Sequence, residues 1–165
     1  MLKIYHAKTK EDIEVTKQLF FEYLEYLKEY YKELAGFPWL EEYYQTFEKE
    51  INALPGKYNS PGAFILLAKD DNEPAGCVAL EGKSEDISEM QRLYIRAKYR
   101  RKGVGTKLCK ALIEQAQKMG YTRLRLHTAL EDAKYLYKSL GFAETEPDEF
   151  IPLDTIVFME LNISS

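Results

Sequence analysis

Long hydrophobic runs are missing from this sequence. No stretch approaches the roughly 18 uninterrupted apolar residues of a membrane span, and the opening MLKIYHAKTKED returns to charge before an apolar signal core can form. A membrane partner is therefore not expected, and the expected location is cytoplasmic. Cysteine is scarce: Cys77 and Cys109 stand far apart with no CxxC pair, which indicates neither a disulfide scaffold nor a zinc site. Histidine is as scarce. His6 and His127 give little basis for a catalytic triad or a metal centre, and a core or surface histidine is the simpler reading of each. No GxSxG stretch occurs, and no metal is expected.

What the chain does contain suffices for one domain. Its 165 residues are 45% hydrophobic and 30% charged, too apolar for disorder. A globule of this size hides roughly 70% of the surface its unfolded chain exposes. No repeat, low-complexity tract or flexible linker divides it, so a single domain over 1–165 is expected. The net charge of -4 conceals an uneven distribution, because residues 91–125 hold eleven Lys or Arg against one acid, Glu114. A basic field inside an acidic protein favours one polyanionic ligand over general attraction to nucleic acid or membrane, which a basic whole would favour. A solvated helix face is the plainer reading of the same charges.

Periodicity orders the elements. Leu2 and Ile4 alternate as a short strand, and Thr9 followed three residues later by Asp12 forms a capping box. Ile13, Phe20, Leu24, Leu27, Tyr31 and Leu34 mark one face of a long helix that Gly36 and Pro38 end, and Leu40, Tyr43, Phe47 and Ile51 mark a second. Residues 63–82 read as an antiparallel hairpin, AFILLA and AGCVALEG about the turn DDNEP. The next strand, ISEMQRLYI over 87–95, breaks strict alternation. A β-bulge near Met90 to Arg92 absorbs the slip and bends the strand away from its neighbour. A helix from near Gly103 to Gly120, a strand over 123–128, a helix over about 131–139 and strands near 142–145 and 155–161 complete the chain. The fold class is α/β, a mixed sheet of about seven strands with four helices.

The chemically suggestive element is YRRKGVGTKL over 99–108, between a strand and a helix. Gly103 and Gly105 allow backbone conformations and close approach that a β-carbon obstructs, and the helix start supplies free N–H groups and a positive dipole end. Such a turn holds phosphate, with Arg100, Arg101 and Lys102 adding charge at its mouth. A Rossmann fingerprint needs a third glycine where Leu108 stands. A P-loop ending in Gly82, Lys83 and Ser84 needs a glycine where Cys77 stands. Both nucleotide-binding readings lose support.

The stretch RLYIRAKYRRKGVGTKL, followed about 30 residues later by YLYKSLGF, resembles the acetyl-coenzyme A site of the GNAT superfamily of N-acetyltransferases. Arg100, Gly103 and Gly105 meet its core pattern of Arg or Gln, two residues, Gly, one residue, then Gly or Ala. The similarity covers roughly residues 63–161, while residues 1–60 match in outline as the variable helices over the acceptor site. Ala97 replaces a Pro often found after the bulged strand, and Leu130 replaces an Asn that many members carry as a coenzyme contact.

The resemblance implies the GNAT fold with its bulged central strand, and direct acetyl transfer from acetyl-CoA to a primary amine of a small molecule or protein. Main-chain N–H groups of Arg101, Lys102, Gly103, Val104, Gly105 and Thr106 hold the diphosphate, and Arg100 strengthens the field. The pantetheine arm lies along Leu93, Tyr94 and Ile95, bonded like an added strand by groups that the bulge leaves unpaired. The Ile95 N–H supplies an oxyanion contact. As plain core positions, Leu93 and Ile95 use other atoms, so both readings hold together.

An amine with pKa about 10.4 must lose a proton before attack, and a departing thiolate with pKa near 8.5 needs a donor still protonated at neutral pH. Glu89, before the bulge, is the first choice of base, acting through water, and Glu81 is the second; either also reads as an ordinary surface carboxylate. Tyr137 occupies the family's position for the acid. Tyr23, Tyr26, Tyr30, Tyr31, Phe37, Trp39, Tyr43 and Tyr44 can wall an amine pocket, and Glu25, Glu29, Glu33, Glu41 and Glu42 suit a cation. A buried aromatic cluster or a homodimer surface accounts for the same rings. A coenzyme-binding sensor without turnover is the alternative to an enzyme, and a nucleic-acid partner is disfavoured by the acidic total charge.

Overall fold

The computed structural model describes residues 1–164, and the local signals settle there into strands β1 Leu2–His6, β2 Phe64–Asp70, β3 Glu73–Gly82, β4 Ile87–Ile95, β5 Arg123–Thr128, β6 Ala143–Thr145 and β7 Val157–Asn162. The α-helices are α1 Lys10–Tyr30, α2 Pro38–Asn52, α3 Val104–Lys118 and α4 Glu131–Ser139. Thr9 opens α1 with the expected capping box: its Oγ1 accepts from the Asp12 N–H at 3.0 Å while the Asp12 carboxylate accepts from the Thr9 N–H at 3.1 Å. The helix stops at Tyr30, short of the predicted Leu34. The chain tightens into a 3₁₀ turn over Lys32–Leu34, where Leu34 is 42% exposed and has no core to face. Gly36 then takes φ +89°, and Pro38 sits in the first turn of α2, where its missing N–H costs nothing.

Asp71 and Asn72, at φ +48° and +71°, close β2 and β3 into a two-residue hairpin turn, so both strands run longer than their apolar cores. The seven strands lie in the order β1-β2-β3-β4-β5-β7-β6, antiparallel except for β4 beside β5. Helices cover both faces. Phe64, Leu66 and Ala68 join the core under α3 and α4, whereas Ile65 and Leu67 join the core under α1 and α2. Burial on both sides explains why β2 reads as an unbroken apolar run.

Two features of β4 shape the molecule. Cys77 opposes Tyr94 and Ala79 opposes Gln91, so Val78 alone faces Arg92 and Leu93. This is the bulge that the broken alternation predicts, and Arg92 accommodates it at φ +59°. Beyond it, β4 and β5 part: only Ile87, Ser88 and Glu89 pair with Arg123, Leu124 and Arg125, while β5 continues beside β7 to Thr128.

Candidate active site

The parting of β4 from β5 opens a groove of about 600 Å³. Leu93, Tyr94, Ile95, Arg100, Arg101, Gly103, Val104, Gly105 and Thr106 line it; of the predicted cofactor residues, Lys102 does not. Gly103 caps α3 at φ +80° with no side-chain cap, and the first helical bond runs from the Lys107 N–H to the Gly103 carbonyl at 3.1 Å. The N–H groups of Val104, Gly105 and Thr106 thus lack a helical acceptor and can take an anion at the positive end of the helix. Arg101 holds φ +61° in the preceding turn. A β-carbon at Gly105 would stand 3.3 Å from Leu136 and 3.7 Å from Ile95, so glycine lets α4 and β4 close on the helix start. Arg100 Nε donates to the Ile95 carbonyl at 2.9 Å and its guanidinium lies 5.0 Å from the Tyr26 ring, tying the turn to the end of β4.

The basic segment divides cleanly. Arg92, Arg96, Lys98, Lys118, Arg123 and Arg125 each face a carboxylate within 4.0 Å. Among the described residues, Arg100, Arg101, Lys102, Lys107 and Lys110 do not, and the first three cluster in the turn at the head of α3. Local ion pairs therefore absorb most of the apparent field, and the remainder concentrates at the groove.

Two residues build the bulge: Gly76, to which no local signal pointed, and Arg92, which was expected at the bulge but not as a buried ion pair. A β-carbon at Gly76 would lie 2.6 Å from the Tyr94 carbonyl oxygen and 2.7 Å from Ile95 Cδ1, so only glycine admits β4 this closely. Arg92 is the second. Its Nε and Nη2 donate to Glu50 at 2.9 and 3.0 Å, its Nη1 donates to the Tyr43 hydroxyl at 2.7 Å, and its guanidinium stacks 3.9 Å from the Phe47 centroid. The signal was present, since Arg92 falls where alternation fails. Beneath the bulge, burial pushes the Cys77 thiol up to about 12, and its Sγ lies 3.4 Å from the Arg92 carbonyl. Such a thiol is a packing group.

The two predicted catalytic side chains lie outside the groove lining. Tyr137 is 6% exposed, packed against Phe142 at 5.8 Å, while its neighbour Leu136 lines the groove. Burial, then the nearness of Cys109 and Tyr23, holds its phenol well above the ordinary tyrosine range. Glu89 accepts from Gln91 Nε2 at 2.8 Å, with Lys83 Nζ at 3.8 Å. Glu81 sits between Lys57 at 2.6 Å and Lys83 at 3.0 Å. Burial pushes the Glu81 carboxyl up, but the two ammonium groups outweigh it and the net displacement is downward, which makes Glu81 a poor base.

A second, smaller cavity of about 70 Å³ lies on the α1/α2 face. Tyr23 and Leu130 line both cavities, which therefore adjoin there. Tyr31, Trp39 and Tyr43 wall this slot, with His127 and Thr128 from β5 and Leu153 and Ile156 from the segment before β7. Leu124 and Leu126 turn to the α3 side, so alternation sends His127 to the opposite face. Glu25, Glu29, Glu33, Glu41 and Glu42 are not among the slot's lining.

A splayed parallel pair, a central bulge and a glycine-capped helix facing the split define an acyl-transferase type of fold and site. The Acetyltransferase (GNAT) family matches residues 22–142, and this chain belongs to that family. An uncharacterised N-acetyltransferase of Schizosaccharomyces pombe is 33% identical over 99% of this chain and 96% of its own length. The PaiA N-acetyltransferase of Thermoplasma acidophilum, solved in complex with coenzyme A, superposes with a TM-score of 0.74 at 20% identity, covering 98% of this chain and 99% of that one. A GNAT family acetyltransferase of Elizabethkingia anophelis, solved with acetyl-CoA bound, superposes with a TM-score of 0.53 at 23% identity over 61% of this chain and 76% of that one. The protein is an acetyltransferase.

Proposed function

We propose that the protein transfers the acetyl group of acetyl-CoA directly to a primary amine of a small molecule or protein, in the cytoplasm. The observation that carries this reading is the parting of β4 from β5 beyond Glu89 and Arg125, into a groove that ends on the unpartnered amides of α3. Those amides suit a diphosphate, and Arg100, Arg101 and Lys102 add positive charge at the mouth. The backbone of Leu93, Tyr94 and Ile95 suits the amide-bearing arm as an edge suits an added strand.

Bound there, acetyl-CoA supplies a thioester carbonyl to be attacked and a thiol to leave. The Ile95 N–H polarises the carbonyl, and Arg100, bonded to the Ile95 carbonyl, holds that residue's peptide in place. Glu89 takes the acceptor's proton through water, because its carboxylate lines neither cavity. Tyr137 gives a proton to the leaving sulfur, since a phenol is still protonated at neutral pH.

Calorimetry with acetyl-CoA tests the cradle, comparing the wild type with Gly105→Glu and with the milder Arg101→Glu. Binding at least about tenfold weaker in both variants is expected, since an anion at a helix start meets the same amides and dipole. Equal binding by all three proteins refutes the cradle. Thiol release with an amine panel then separates an enzyme from a sensor: binding without release for every amine contradicts transfer.

A further inference from the structure

We propose that the aromatic slot selects acceptors whose amino group carries a compact, uncharged alkyl flank of about three or four carbon atoms, an inference that rests on the acetyl-transfer reading above. Because Tyr23 and Leu130 line both cavities, such an amine lies with its nitrogen toward the groove and its substituent in the slot. The slot's volume of about 70 Å³ is under half that of an apolar cavity of about 150 Å³ that takes one benzene ring. That is room for a short alkyl chain and not for a sugar ring or a polyamine with its hydration.

The walls oppose a second positive charge. None of the slot's lining side chains is a carboxylate. Glu25 and Glu29 instead pair with Lys28 and Lys32, and Glu41 accepts from the Gly36 N–H. Behind the wall, Arg92 bonds the Tyr43 hydroxyl and is itself neutralised by Glu50, and neither of that pair is part of the lining. Trp39 and Tyr43 spend a ring face each on their stack at 5.7 Å and 10°, and Arg92 already lies 5.8 Å from the Tyr43 centroid. An additional ammonium would lose its water there without gaining a counter-ion. A terminal carboxylate would lose its water among the same leucine and aromatic walls. Beside its phenols, His127 is the slot's own ionisable side chain.

Trp39 is the chain's single tryptophan, so tryptophan emission excited at wavelengths beyond tyrosine absorption reports on the slot. The full chain, held with coenzyme A so that no turnover occurs, is titrated at one pH with butylamine, 1,4-diaminobutane and 4-aminobutanoate, three ligands on one four-carbon frame. The expected result is a saturable change in Trp39 emission with butylamine at an affinity at least about tenfold tighter than either charged analogue, the range that one unpaired buried charge imposes. Leu153→Phe, which fills the slot, abolishes the butylamine response and leaves coenzyme A affinity unchanged; Ile156→Phe serves if that variant unfolds at a lower temperature. No saturable change with butylamine, an equal or tighter response to either analogue, or a response that survives in the filled variant overturns the proposal. Failure to bind coenzyme A in calorimetry overturns the acetyl-transfer reading instead, and the butylamine titration without coenzyme then still reads the slot.

Discussion

The groove and the slot are built from different parts of the chain. Most of the groove's lining lies within residues 93–106, where the end of β4 and the start of α3 offer peptide groups, with Tyr23 and Tyr26 of α1 and Leu130, Asp132, Ala133 and Leu136 on the side of α4 closing it. The slot is lined by side chains brought from α1, α2, β5 and the segment before β7. Its wall is braced by Arg92, whose partners Tyr43 and Glu50 lie 49 and 42 residues away. A site made of peptide groups depends on glycine placement and strand direction, and tolerates side-chain change. A site made of side chains depends on each of them.

The largest expected effect is on the side-chain half. Arg92→Ala leaves Glu50 paired with Lys57 alone, at 3.3 Å, and should destabilise the fold by about 3 kcal/mol in chemical denaturation, the low end for breaking a buried pair. A loss under about 1 kcal/mol would mean that the slot wall does not hang on this pair. The same pair carries a pH signature. Burial pushes the Glu50 carboxyl up, but Arg92 and Lys57 outweigh it, so its folded pKa lies below the ordinary 4.5. Its contribution is therefore complete above pH 4.5 and fades as the pH falls through the folded value. Acid unfolding of Glu50→Gln should lack that component.

Next in size, Tyr137→Phe should lower kcat about 100-fold with the KM for acetyl-CoA unchanged, as expected for loss of one general acid; initial-rate kinetics read both. An unchanged kcat removes Tyr137 from the chemistry and leaves the groove intact. Gly76→Ala tests the main-chain half. Its β-carbon meets the Tyr94 carbonyl at 2.6 Å, so the bulge must shift, at a cost of about 1–3 kcal/mol in thermal unfolding together with weaker acetyl-CoA binding. The smallest effect belongs to Lys102→Ala, whose side chain is outside the groove lining: acetyl-CoA affinity should stay within about twofold, as for an exposed charge. A tenfold loss would put side-chain charge ahead of peptide groups in the cradle.

The same contrast decides what could be read before the fold was known. The capping box at Thr9, the hairpin at Asp71 and Asn72, the bulge and the glycine-capped α3 are local, and spacing alone located them. The anion-holding turn was legible from its two glycines and three basic residues, whereas the run along Leu93 to Ile95 entered through the resemblance to the GNAT superfamily. The end of α1 was misplaced because apolar periodicity continues through Leu34 after the core it would face has run out. Arg92 passed as one of eleven basic residues, since nothing local distinguishes a buried, paired guanidinium from a solvated one. Gly76 lies within an ordinary strand, and only the approach of Tyr94 across the bulge reveals its purpose. His127 read as an isolated histidine because the other walls of its slot lie far away in sequence.

Amide resonances test the central claim most directly. In an isotope-labelled sample titrated with acetyl-CoA, the backbone N–H signals of Val104, Gly105 and Thr106 should shift most, accompanied by those of Leu93 to Ile95, while the paired amides of Ile87 to Glu89 stay in place. Shifts concentrated in the slot, or an unmoved α3 start at saturating coenzyme, would contradict the account.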